Sequence, residues 1–149
     1  MDATTTPVTE LSESQSWQLL SGLTLGRLVT TVGGWTEIFP VNFVVQNRTL
    51  LFRTAEGTKL LTAVLNENVV FEADDHNVVE GWSVVVRGTA KLLSTAAEIA
   101  EARIAGAGPP AMSTESSTIA ISATEMRPLK MNEASFLVAN WSKVCVDCA

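Results

Sequence analysis

Apolar and polar positions alternate along much of the chain. Between Arg27 and Val32, Leu28, Thr30 and Val32 fall on one side and Val29 and Thr31 on the other, and Gly33-Gly34 then ends the run. Period-two alternation closed by a glycine pair predicts a strand and a tight hairpin turn. A second β-branched and aromatic run covers 36–46 and is interrupted by Pro40. Proline cannot donate to a central ladder, so a bulge or a sheet edge is expected there. Asn47-Arg48 predicts a turn, and Thr49 to Thr54 a returning third strand. Val69 to Ala73 predicts a fourth strand, with the polar stretch Asp74-Asp75-His76-Asn77 as the loop that closes it. Trp82 to Leu93 predicts the longest strand, and Ile119 to Ser122 and Ser135 to Asn140 two late ones.

Helical signals are fewer. Ser12 with Gln15 makes a capping box ahead of Trp17, Leu19, Leu20 and Leu23, predicting a helix over 12–22. Leu60, Leu61, Val64 and Leu65 repeat at helical spacing over 59–66, and Thr95 with Glu98 opens a third helix running to about Ala105. Strands joined by hairpin-length turns, with two or three short helices between them, predict a mainly β fold. The expected architecture is an antiparallel barrel of six or seven strands with helices capping its ends. The expected organisation is a flexible N-terminus over 1–10, one domain over 11–140 and a tail over 141–149.

Composition narrows the functional classes. The chain has 149 residues, of which 46% are hydrophobic, and carries 10 Lys+Arg against 16 Asp+Glu for a net charge of −6. An acidic chain lacks the field that holds nucleic acid, so no nucleic-acid partner is expected. No apolar run approaches the roughly 18 residues a spanning helix needs, and the N-terminal stretch has neither a basic nor an apolar leader segment. No membrane association is therefore expected. The two cysteines, Cys145 and Cys148, make no disulfide framework, and a cytoplasmic setting is expected. As a lone CxxC they would need ligands from another chain to hold zinc, so a tail is the plainer reading.

A single histidine, His76, excludes a multi-histidine metal site within one chain. Asp74, Asp75 and His76 read as a solvated loop after a strand with Glu72 on its outer face, rather than the four as metal ligands, and no metal is expected. Gly81-Trp82-Ser83-Val84-Val85 lacks the second glycine of a nucleophile elbow. No GxGxxG and no Walker sequence is present. Without tyrosine, a Tyr acid or base is excluded.

One segment carries chemistry. Leu50-Leu51-Phe52-Arg53-Thr54-Ala55-Glu56-Gly57-Thr58-Lys59 runs from a strand end through one glycine into a helix start. Unpaired N–H groups and the positive end of a helix dipole meet at such a junction. With the Arg53 guanidinium, the Thr54 hydroxyl and the Lys59 ammonium they would cradle a phosphate monoester. The alternative is that Arg53 and Lys59 pair with local acids such as Glu56 while Thr58 caps the helix.

The order of segments matters more than any one of them. Gly26-Arg27-Leu28-Val29, Pro40-Val41-Asn42-Phe43-Val44, Phe52-Arg53-Thr54-Ala55-x-Gly57-x-Lys59-Leu60, Val70-Phe71-Glu72-Ala73-Asp74-Asp75 and Gly81-Trp82-Ser83-Val84-Val85-Val86-Arg87-Gly88 follow one another. Over about residues 11–93 the chain resembles the pyridoxamine 5′-phosphate oxidase-like flavin-binding split barrels, in particular small actinobacterial members. The resemblance implies a homodimeric split β-barrel with FMN in a groove between subunits. By position it gives Arg53, Thr54 and Lys59 to the flavin phosphate. It sets Pro40, Val41, Asn42 and Phe43 along the isoalloxazine ring, and Trp82 and Ser83 at the ring's polar edge. Asn42 as a partner for the chain beside Pro40, and Trp82 as an ordinary core aromatic, are the alternatives. Arg27 and Arg87 read as surface strand residues or as ligand contacts.

The implied activity is a flavin-dependent oxidoreductase with a small-molecule electron acceptor and a nicotinamide-type donor, the cofactor carrying the chemistry and no side chain assigned as catalytic. A reductase using F420 on the same fold is one alternative. A non-catalytic flavin-binding or dimerisation module is another, because Gly108-Pro109-Pro110 lacks the family's tryptophan and Met126-Arg127-Pro128 its glycine.

Overall fold

The computed structural model describes residues 8–55, 60, 68–104 and 116–132. Seven strands and two helices are present among them: β1 (Val8–Glu10), α1 (Glu13–Ser21), β2 (Leu25–Val32), β3 (Trp35–Gln46), β4 (Thr49–Ala55), β5 (Asn68–His76), β6 (Glu80–Leu92), α2 (Ala96–Ile104) and β7 (Ser116–Asn132). Every pairing is antiparallel, in the order β1-β7-β4-β3-β2-β5-β6, and β6 also pairs with β7. That last pairing closes β7, β4, β3, β2, β5 and β6 into a ring, so the fold is a six-stranded barrel with β1 added outside it. Apart from Leu60, the helix expected over 59–66 lies outside the described residues, as do the loop at 108–110, the strand expected over 135–140, and Lys59, Cys145 and Cys148.

The turns follow from local chemistry. Gly33 and Gly34 both have positive φ, as do Asn47 and Arg48. Two consecutive residues of that conformation make the hairpin turn whose twist matches the flanking strands. In α1, Ser12 Oγ accepts the Gln15 N–H at 3.2 Å while Gln15 Oε1 accepts the Ser12 N–H at 2.8 Å, so both halves of the capping box form. Trp17 and Leu20 of that helix are buried against the open end of the barrel.

Alternation sorts the barrel faces. Leu28, Val41, Phe43, Leu50, Phe52, Phe71, Val84, Val86, Ile119 and Ile121 point inward and form one core. The Phe43 and Phe71 rings meet edge-on, with centroids 4.8 Å apart at 68°. A smaller outer cluster joins Leu51 and Ala120 to Ala102 of α2. This helix also opens with a capping box: Thr95 N–H donates to Glu98 Oε2 and Glu98 N–H to Thr95 Oγ1, each at 3.2 Å.

One expectation is resolved and two are corrected. Pro40 makes no bulge, because the β2–β3 register runs unbroken from Leu25↔Asn42 to Val32↔Trp35. The edge reading holds instead: β4 pairs with β3 only from Phe43 onward. Since the Phe43 N–H turns toward β2, to the Thr24 carbonyl at 2.9 Å, alternation turns the Pro40 nitrogen toward the side where, among the described residues, no strand is paired. Asp74, Asp75 and His76 are not a loop but continue β5, paired with Ser83, Trp82 and Gly81. Val8–Glu10, expected within a flexible terminus, pair with β7 at Leu129, Lys130 and Met131.

The Glu98 carboxyl sits at about 2, below its ordinary 4.5, because Lys91 donates to it at 2.5 Å and the Thr95 backbone and hydroxyl add two further bonds. A depressed folded-state pKa stabilises the fold above the unfolded value and stops doing so as pH falls through the folded value. Glu98→Gln is therefore expected to flatten the loss of stability between about pH 4.5 and 2, read by urea midpoints across that window. A wild-type acid limb retained unchanged in the variant would exclude this role.

Candidate functional site

The barrel is split beside β3. Past the pair Phe43↔Phe52, no further β3–β4 pair forms, while β4 continues alongside β7 through Arg53↔Thr118 and Thr54↔Ser117. Extending the β3–β4 register one step sets Asn42 across from Arg53, and a second step sets Val41 across from Thr54. Val41, Phe43 and Thr54 lie on the inner face and are buried. Pro40 and Asn42 are exposed, and Arg53 is half-buried. Six of the nine sequence-predicted residues thus converge where the two strands part.

Trp82 and Ser83 lie elsewhere on the ring. They sit on β6, with β2 and β5 between them and β3. Being adjacent on a strand, they face opposite ways: Trp82 turns inward against the core, and Ser83 outward beside Asp74 and Leu129. A single chain therefore does not bring them to Arg53. Sequence reasoning also missed the β7 contribution. Thr118, which is buried, and Ser117 run alongside Arg53 and Thr54. The hydroxyl run Ser116-Ser117-Thr118 leading into Ile119 was the available signal.

Electrostatics separates the arginines. Arg27 Nε donates to Glu72 Oε2 at 2.5 Å, and its Nη2 pairs with Asp74. The Glu72 bond is the main reason the guanidinium pKa is raised above its ordinary value. Held by two carboxylates, Arg27 is poorly suited to an anionic ligand. Arg87 faces Glu125 at 3.8 Å, and Arg127 reaches the same carboxylate at 3.1 Å. Glu72 and Asp74 are engaged by Arg27, and among the described residues no group of three or more His, Cys, Asp or Glu is placed to hold a metal ion. Nor is any described helix long and apolar enough to cross a membrane.

A closed antiparallel ring with a gap beside one strand, and a cation and hydroxyls at that gap, defines a split-barrel protein. Residues 12–138 match the pyridoxamine 5′-phosphate oxidase family, and the chain belongs to that family. It is similar to the solved structure of the FAD binding protein from Mycobacterium smegmatis, at 48% identity and a TM-score of 0.75, over 83% of this chain and 98% of that one. A conserved protein of unknown function, DIP1874 from Corynebacterium diphtheriae, is 31% identical with a TM-score of 0.74, over 84% of this chain and 98% of that one. The uncharacterized protein Rv3129 of Mycobacterium tuberculosis is 61% identical over 59 residues, which is 40% of this chain and 54% of that protein. The chain thus spans about half the length of that relative.

Proposed function

We propose that this protein binds a flavin nucleotide at the β3–β4 split and works as a flavin-dependent oxidoreductase. The observation that carries the reading is the parting of β3 from β4, which groups Asn42 and Pro40 on one rim with Arg53 and Thr54 on the other. Arg53, Thr54 and Lys59 would hold the phosphate. The β3 segment Pro40–Phe43 would line the ring, with its polar atoms met by Asn42 and by backbone groups that β4 leaves unpaired. A bound flavin supplies hydride and electron transfer. The protein binds and orients it, and a nicotinamide-type donor and a small-molecule acceptor would exchange electrons with it.

Membership of the family and the FAD bound by the 48% identical relative support a flavin. FMN is the smaller of the two flavin nucleotides, and FAD adds an adenylate to the same phosphate. F420 is disfavoured by charge. Its poly-acidic tail needs a basic track, yet Arg27, Arg48, Arg87, Lys91, Arg127 and Lys130 each meet a carboxylate.

A second copy of the chain is the proposed partner. Leu25, Arg27, Val29, Ile38 and Pro40 share the outer face of β2 and β3, where Ile38 is 64% exposed, and Trp35 at the hairpin end is 80% exposed. Pairing across such a face would bring Ser83 of one subunit toward the split of the other.

Fluorescence titration of FMN, FAD, F420 and riboflavin tests the cofactor. Arg53→Ala is expected to weaken FMN binding by about 1.5–3 kcal/mol, roughly 10- to 150-fold, and Thr54→Ala by about 0.5–1.5 kcal/mol. Riboflavin, lacking the phosphate, should be affected much less. Equal losses for FMN and riboflavin would assign both residues to the fold, and unchanged FMN affinity would leave a non-catalytic module as the better description. Sedimentation of the same samples as a single 15.9 kDa chain would remove the two-subunit groove.

A further inference from the structure

A cavity of about 340 Å³ lies at the opposite face of β6 from Ser83, between α1 and the β5–β6 hairpin. This is within the size range of small-molecule pockets. Trp82 and Leu19 give it apolar walls, and Gln18, Asp75, Glu80 and Lys130 give it polar ones. The polar groups are not equivalent. Lys130 Nζ meets Glu80 Oε2 at 2.7 Å, so those two charges cancel. Asp75 Oδ1 accepts the backbone N–H of His76 at 2.8 Å, and among the described residues its carboxylate meets no cation. Gln18, in the middle of α1, faces the same space and makes no hydrogen bond within the described residues. Beside the His76 imidazole, which also lines the cavity, the acidic charge that no Lys or Arg cancels is one carboxylate, across the β5–β6 pair from an indole, since Asp75 and Trp82 are direct register partners.

We propose that this cavity is a binding site for a planar aromatic cation, such as an aryl amidinium or a protonated amino-heterocycle, distinct from the nucleotide site at the β3–β4 split. The cation donates to the Asp75 carboxylate, its ring lies against Trp82, and the Gln18 amide serves a remaining donor or acceptor. An aromatic wall and an uncancelled carboxylate favour such a ligand twice over, because an indole attracts cations through its π face and a carboxylate through a charge-assisted hydrogen bond. An anion of the same shape meets Asp75 and is excluded.

Benzamidine is the probe, with benzoate as its isosteric anion. On the full chain as purified, benzamidine is expected to shift the Trp82 indole N–H resonance saturably, with Kd at or below about 1 mM, and benzoate not at all. Trp82→Phe assigns that resonance. Asp75→Asn keeps an oxygen for the His76 N–H and is expected to weaken benzamidine at least about tenfold, with Gln18→Ala weakening it a few-fold. A linear, non-saturating response, equal binding of benzoate, or unchanged affinity in Asp75→Asn would overturn the proposal. Flavin affinity measured on the same variants separates the two sites: Asp75→Asn should leave it as it was whether or not the nucleotide assignment at Arg53 holds.

Discussion

Phe71→Ala is expected to cost about 3–5 kcal/mol of stability, the range for truncating a fully buried aromatic ring. The side chain is 0% exposed and packs edge-on against Phe43 in the middle of the barrel. Its ring also occupies the space a side chain at position 26 would need, since a Cβ built on Gly26 would stand 2.3 Å from Phe71 Cζ. Gly26 is thus required by the ring, and Gly26→Ala should itself destabilise by about 1–3 kcal/mol through overpacking. The two losses are not independent. Once Phe71 is truncated, the two tightest clashes at 26 are gone and only the Glu72 carbonyl oxygen at 3.0 Å still crowds an alanine there, so the double variant should fall short of the sum of the singles. Urea unfolding at fixed protein and flavin concentration reads all four corners of the cycle. Strict additivity would mean that the ring does not fill the Gly26 site.

Gly88→Ala is expected to cost about 3 kcal/mol, the upper end of the overpacking range. A Cβ there would lie 2.4 Å from the Ser122 carbonyl oxygen and 2.9 Å from the Ile121 side chain. Backbone in a ladder cannot rotate aside as a side chain can. The position is also where the β6–β7 register slips: Arg87 pairs with Glu125 and Gly88 with Ala123, leaving Thr124 extra, its hydroxyl donating to the Arg87 carbonyl at 3.1 Å. Bulges of this kind bend a strand at a barrel corner. Melting should fall by roughly 6–12 °C for a chain of this length. Wild-type melting in Gly88→Ala would show that the strands can part there at no cost.

Much of this fold was legible because its signals are local. The Ser12–Gln15 and Thr95–Glu98 boxes, the Gly33-Gly34 and Asn47-Arg48 turns and the alternation of β2, β4 and β6 each depend on residues near in sequence. What was not legible depends on which neighbours a strand has. Pro128 lies within β7, paired with Val84, in a stretch where β6 is the only neighbour among the described residues, and Pro40 lies where β2 is the only described neighbour of β3. A proline tolerated at a local edge reads in sequence like a strand break, so β7 was expected to stop near Ser122. Asp74 to His76 likewise extend a strand that β2 has left, since β2 pairs with β5 only at Val70 to Glu72, and polar side chains suit that open flank. The candidate site was legible to the same degree. Pro40–Phe43, Arg53 and Thr54 come from two strands joined by a tight turn, and they do converge. Trp82 and Ser83 come from across the ring; alternation along β6 tells that they face opposite ways, but no local pattern tells that β2 and β5 lie between them and β3.

The length of β7 sets the order in which this barrel can assemble. Its residues 116–122 serve β4, 119–132 serve β6, and 129–131 serve β1. Until that one strand arrives, β4 and β6 both stand as bare sheet edges, and Val8 must wait for Met131 before its own pairing exists. Hairpins β2–β3, β3–β4 and β5–β6 can form early from neighbouring residues, but ring closure is a late, long-range event, which makes for slow folding. A chain still emerging from the ribosome presents two unsatisfied edges to its neighbours for as long as residues 116–132 are missing, and those edges are where mispairing with other nascent chains would begin.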